Sequence, residues 1–358
     1  MTVNNLSDTQ GCVDFFQQRL HYLLTYWRDH EAVQQLQIAI LDRERAMIPK
    51  VISLGLDVAP LWPLVRPLII ALTPYMERRG HWEEWHTILE RAIAVTQRAK
   101  DIETETTLTA LLARLCQRMS RPKDVVKNYR RVIRLAKMTG NRFEEARACS
   151  NLGYLYIDGG HWWRSENLSK HALTIFEELG SDHGRAHTHN HLGLLYTRQQ
   201  LWNAAEEHLL SACKVWTRMD EQHGLMRGYG NLGTLYCDMT KADDAIYYSK
   251  LALQLAQTTG EEILSGNFLI NMAIGYRLQG DAQSALQHAT TAEKIFEAHH
   301  DMVLLAYVWH QLGLIYLQDS NLAKAEQYRI KALTIYEQFN NIIGKTRLLA
   351  DFNTYATS

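Results

Sequence analysis

The chain has 358 residues, 38 basic and 39 acidic groups, and 46% apolar residues. That apolar share excludes a disordered chain, and a formal net charge of -1 excludes a surface tuned throughout to nucleic acid. Of six prolines, five precede residue 75 and none follows Pro122, so most of the chain suits helices joined by short turns.

At the N-terminus there is no basic group before Arg19 and no apolar block, unlike a signal peptide. Phe15, Phe16, Leu20, Leu23, Leu24 and Trp27 predict a first helix. Val33, Leu36, Ile40 and Met47 predict a second, and prolines at 49, 60, 63, 67 and 74 punctuate the stretch beyond it. Pro67 to Met76, an apolar stretch without a charge, is about half a membrane span. Trp62, Trp82 and Trp85 read as core and hairpin packing. The five cysteines (Cys12, Cys116, Cys149, Cys213, Cys237) are odd in number, widely spaced and free of any C-x-x-C pair. A disulfide framework and a zinc knuckle are therefore not expected, and a cytoplasmic protein without a membrane segment is.

From residue 151 the chain repeats itself every 40 residues. Asn151-Leu152-Gly153, His191-Leu192-Gly193, Asn231-Leu232-Gly233, Asn271-Met272-Ala273 and Gln311-Leu312-Gly313 share one register. A tyrosine follows each small residue: Tyr156, Tyr196, Tyr236, Tyr276, Tyr316. Small residues recur as Ser165, Ala205, Ala245, Ala285 and Ala325, and again as Ala172, Ala212, Ala252, Ala292 and Ala332. Leu192, Gly193 and Tyr196 fall on one face of a helix; Ala205, Leu209, Ala212 and Trp216 fall on one face of another. Each copy is thus a helical hairpin whose small residues let backbones approach. Between copies stand Gly140, Gly180, Asp220, Gly260, His300 and Asn340, residue types that tolerate a left-handed helix end.

This pattern, L-G-x-x-Y and then two small positions, resembles the tetratricopeptide repeat. The copies have the length of the long-helix subgroup found in peptide-binding adaptors and in sensor arrays of signalling ATPases. The resemblance covers 143–340. It extends to 103–140, where Ala113, Cys116 and Val132 replace the Gly, Tyr and Ala. It reaches 65–100 through Gly80-His81-Trp82, which mirrors Gly160-His161-Trp162, and through Ala92, which matches Ala172. It implies an all-α, right-handed α-solenoid of stacked helical hairpins. Residues 1–64 are expected to form a divergent helical cap, 65–340 an array of about seven hairpins, the last five of strict period, and 341–358 a closing helix.

The resemblance further implies that the first helix of each hairpin lines a concave groove and that the residue before each L-G pair points into it. That column reads Asn151, His191, Asn231, Asn271, Gln311. Asn and Gln present both a donor and an acceptor, the chemistry needed to grip the N–H and C=O of an extended peptide. One turn earlier the column reads Arg147, His187, Arg227, Asn267, Tyr307. Arg147 and Arg227, with His187 between, make the first half cationic; Tyr307, Trp309 and His310 make the far half aromatic. The expected ligand is a protein or peptide segment, acidic toward one end and apolar toward the other.

Three rival sites carry less. His183, His187 and His191 share a helix face with His189 nearby, but no acidic or cysteine ligand stands beside them, so no metal is expected. Lys123, Lys127, Arg130 and Arg134 form one stripe within a basic stretch running from Arg121 to Arg142. It reads as a solvated outer face, and nucleic acid is not an expected partner. No phosphate-binding glycine loop, G-x-S-x-G or H-E-x-x-H occurs, so neither enzyme activity nor a cofactor is expected. The leading expectation is a non-enzymatic scaffold or adaptor for an extended partner. The alternatives are a regulatory sensor subunit that changes shape to control a separate effector, and a nucleic-acid-associated helical repeat. The sensor alternative is motivated by the loops Leu179-Gly180-Ser181-Asp182 and Thr259-Gly260-Glu261-Glu262, which resemble those of signalling-ATPase arrays. Nothing in the sequence sets the oligomeric state.

Overall fold

The computed structural model describes the backbone of residues 4–357 and the side chains of residues 11–354; the outermost residues of both predicted caps lie outside this range. The described chain is 86% helical and contains no strand. It divides into two compact units, Met1–Leu155 and Tyr156–Ser358.

In the first unit, α1 (Asn4–Asp29) buries Leu20, Leu24 and Trp27, the apolar stripe read from the sequence. It packs on α4 (Ile48–Gly55) and α5 (Trp62–Arg79). The predicted second helix is not continuous. It is broken into α2 (Glu31–Gln34) and α3 (Ile38–Arg43), because Leu36 adopts a left-handed φ of 51°. The Gln37 amide turns back to the Ala32 carbonyl at 2.9 Å and closes α2 with the bond pattern of a helix C-terminus. Pro67 and Pro74 lie inside α5 rather than ending it. Next come α6 (Trp82–Ala99), α7 (Ile102–Arg118) and α8 (Pro122–Thr139). Ala113, Cys116 and Val132 are fully buried in the α7–α8 hairpin, so the divergent residues occupy the core places of those they replace. Trp85 is buried too, and its indole N–H donates to Thr73 Oγ1 at 2.9 Å. Helix α9 (Arg142–Asp158) contains the boundary between the units.

The second unit continues with α10 (Trp162–Glu178) and four complete hairpins. These are α11 (Asp182–Arg198) with α12 (Trp202–Arg218), and α13 (Gln222–Asp238) with α14 (Ala242–Thr259). They continue as α15 (Glu262–Gln279) with α16 (Ala282–Ala298), and α17 (Met302–Gln318) with α18 (Leu322–Gln338). A closing helix, α19 (Ile342–Thr357), comes last. The small residues sit where helices meet: Ala205, Ala245, Ala285, Ala212, Ala252, Ala292 and Ala332 are all fully buried.

From α9 to α18 every helix ends on the same device. Gly180, Asp220, Gly260, His300 and Asn340 all have positive φ, as their types suggest. So do Gly160, Gln200, Thr240, Gly280 and Ser320 at the turns inside the hairpins. At each, the next residue's amide bonds back to a carbonyl one turn earlier, as in Leu201 to Tyr196 at 2.9 Å and Lys241 to Tyr236 at 2.9 Å.

The first helices α11, α13, α15, α17 and α19 touch one another in succession, whereas the second helices make no comparable contacts. The first helices therefore form the inner wall of a curved stack within this unit.

Candidate functional site

From His191 to Gln311 the column falls on these first helices, and the side chains of Asn231 and Asn271 run along the wall toward the preceding one. Asn231 Nδ2 donates to Asn190 Oδ1 at 2.8 Å, tying α13 to α11. Asn271 Nδ2 donates to Thr234 Oγ1 at 3.0 Å and to the Gly230 carbonyl at 3.4 Å, tying α15 to α13. His191 and Asn231 are half-buried, while Asn271 and Gln311 are buried. The open part of the column in this unit is thus its early part. In the first unit, Asn151 is half-buried beside the Tyr129 hydroxyl. Burial pushes that phenol up to about 12, against the opposing influence of Arg114, Arg147 and the Asn151 hydrogen bond.

The neighbouring column is less cationic than its composition suggests. Arg147 Nη2 lies 2.7 Å from Glu144 Oε2 in its own helix. Burial lowers His187 to about 4, and the charges of His183 and Arg227 add to the effect. His187 is therefore neutral at neutral pH and sets its ring edge-on to Trp216, 5.4 Å between centroids. Arg227 is the exposed cation, and Asn267 is half-buried. At the far end, burial raises the Tyr307 phenol to about 12. Trp309 and His310 do not extend this face. The Trp309 indole N–H donates to Glu293 Oε1 on α16 at 2.8 Å, and buried His310 places Nε2 3.0 Å from Asp351 Oδ2 on α19.

The histidines of α11 are split between two neighbours. His189 Nδ1 meets His208 Nδ1 of α12 at 2.8 Å, which separates it from the His183–His187 ring pair at 4.4 Å. No group of three or more His, Cys, Asp or Glu side chains among the described residues is arranged to hold a metal ion. Lys123, Lys127, Arg130 and Arg134 lie on the exposed face of α8. No described helix is long and apolar enough to cross a membrane.

Two features of the inner wall escape sequence reading. Two of the repeat tyrosines anchor successive hairpins: Tyr196 OH donates to Glu166 Oε1 at 2.9 Å and Tyr236 OH to Glu206 Oε1 at 2.6 Å. Both glutamates share the period, a signal present in the sequence but masked by ordinary surface glutamates. The other is an ion pair, Arg347 Nη2 to Asp238 Oδ1 at 3.0 Å, between residues 109 positions apart.

Residues 224–298 match the family model described as tetratricopeptide repeat. No curated protein matched the chain by sequence. Among solved structures, aspartyl phosphate phosphatase F from Bacillus subtilis is 16% identical, with a TM-score of 0.64 over 91% of this chain and 84% of that one. The Rap conjugation gene regulator of the plasmid pLS20, solved in complex with a Phr peptide, is 14% identical, with a TM-score of 0.60 over 90% of this chain and 96% of that one. The tetratricopeptide-sensor signal transduction ATPase from Pyrococcus horikoshii is 15% identical, with a TM-score of 0.60 over 80% of this chain and 42% of that one. At such identities the likeness is one of fold. Period, hairpin geometry and family-model match agree that residues 224–298 are tetratricopeptide repeats and that the hairpins around them share that all-α solenoid fold.

Proposed function

We propose that this chain is a non-enzymatic scaffold that holds an extended protein or peptide segment along the inner wall of its second unit. The observation that carries the reading is the wall itself: first helices in direct succession, with Asn231 and Asn271 aligned along them and the cation of Arg227 open beside them. Half-buried Asn231, which already bridges two helices through its Nδ2, is held in a fixed pose with its Oδ1 as the acceptor for a peptide N–H, while buried Asn271 braces the next pair of helices behind it. The solved neighbour with a bound Phr peptide supports the same class of ligand. Arg227 favours an acidic residue in that ligand. Five free thiols fit a reducing, cytoplasmic setting.

The test is calorimetric titration of a partner recovered by pull-down against wild type and the Asn231→Ala, Asn271→Ala double variant. Loss of the gripping amide of Asn231 together with the brace of Asn271 should weaken binding by about 2–4 kcal/mol, with the helical circular dichroism signal retained. Unchanged affinity would place the site elsewhere.

A regulatory sensor is the second reading. It draws on the likeness to the sensor-bearing ATPase, whose chain this one spans by less than half. Small-angle scattering with and without the partner separates the two: a static profile favours the scaffold.

A further inference from the structure

The Arg347–Asp238 ion pair joins helices that the stack should keep apart. Helices α15 and α17 lie between α13 and α19 in the succession of first helices. Packed helices stand 8–10 Å apart, so a straight succession would separate α13 from α19 by roughly 25–30 Å, beyond the reach of an arginine. Yet Arg347 Nη2 lies 3.0 Å from Asp238 Oδ1. Within this unit the inner wall curls until its last helix meets the end of α13.

Arg347 continues a column already described. It stands one period after Tyr307, in the register of Arg147, His187, Arg227 and Asn267. Tyr307 and Asp351 lie within electrostatic reach of it, as does Asp238. The Arg347 side chain is 53% exposed, and its only hydrogen bond to Asp238 is a single Nη2 contact. A guanidinium carries five donors in a planar fork and binds a carboxylate best through two parallel bonds. Asp238 leaves most of that fork unused, and a half-exposed ion pair is weakly held.

We propose that Arg347 is a carboxylate-binding subsite on the inner wall, covered by Asp238 until an acidic group of the bound chain takes its place. This rests on the inner wall being the binding face. A ligand carboxylate able to use both arms of the fork displaces Asp238 into solvent, detaches α19 from α13 and relaxes the curl. The ligand is thereby specified further: an extended segment with an acidic side chain at its α19 end.

The experiment uses the full chain with Cys12→Ser, nitroxide labels at Asp244→Cys and Ala350→Cys, and hexaglutamate as the acidic probe. Both labelled positions are exposed and flank the ion pair. Pulsed dipolar spectroscopy should give a narrow distance distribution without probe. Arg347→Ala should lengthen and broaden it, and the charge exchange Asp238→Arg with Arg347→Asp should restore it. With both peptides amidated at the C-terminus, hexaglutamate should shift the unsubstituted distribution as Arg347→Ala does, hexaglutamine should not, and Arg347→Ala should weaken hexaglutamate binding at least tenfold. An Arg347→Ala distribution identical to wild type would overturn the bridge. A hexaglutamate-bound sample without a shift, or binding indifferent to Arg347→Ala, would overturn the subsite. Either failure is distinct from failure of the binding face, which is read from the Asn231 and Asn271 variants.

Discussion

Single atoms decide how closely successive hairpins stack. Trp216 is fully buried at the end of α12 and lies over Gly224 at the start of α13. A Cβ built on Gly224 would come within 2.4 Å of the Trp216 indole. One period later the sizes invert, with Ala256 facing Leu264. The same volume is filled from the other helix, which is how a repeat tolerates substitution at close-packed positions. Gly224→Ala should therefore destabilise the unit by about 1–3 kcal/mol despite the better helix propensity of alanine, read as a lower urea midpoint. Protonation acts at the same scale. Burial lowers both His187 and His189 to about 4 from the ordinary 6.5. Below pH 6.5 the unfolded chain takes up these protons before the folded one does. The stability of neutral imidazoles is thus intact above pH 6.5 and lost as pH falls toward 4, by about 1–3 kcal/mol for each histidine. Urea midpoints measured from pH 7 to pH 4 should fall with a slope that flattens in the His187→Gln, His189→Gln variant.

The hairpin is the unit of construction, and the tyrosine at its centre is its most informative residue. Tyr236 is buried, stacks on Tyr248 with centroids 5.4 Å apart, and reaches back to Glu206 in the preceding hairpin. Tyr236→Ala should cost about 3–5 kcal/mol, and hydrogen exchange should quicken most in α12, α13 and α14, because a repeat contacts only its neighbours. Uniform loss of protection across the unit would argue for a single cooperative core instead. The hairpins were legible in the sequence because close backbone approach admits few residue types, so Gly and Ala recur at fixed spacing. The junction turns were legible for a similar reason, since Gly, Asp, His and Asn tolerate positive φ. The turns inside the hairpins were not: Gln200, Thr240 and Ser320 take the same conformation without a residue preference to announce it. The break at Leu36 was hidden too, because Val33, Leu36 and Ile40 keep helical spacing across it.

At the scale of the second unit, curvature decides which side chains meet. The period foretold which column lies on the first helices. It did not foretell that Asn271 would be drawn into bonds with the helix before it, or that burial would hold His187 neutral. Least visible of all was Arg347 meeting Asp238, since that contact depends on the rotation accumulated over successive hairpins rather than on any local pattern. Binding by the first helices, and not by the second, can be read directly from where a partner cross-links. A photoreactive benzoylphenylalanine at Arg227, on the inner wall, should cross-link a purified partner, while the same group at Tyr247, exposed on α14, should not. Cross-linking from position 247 with none from position 227 would contradict an inner-wall site.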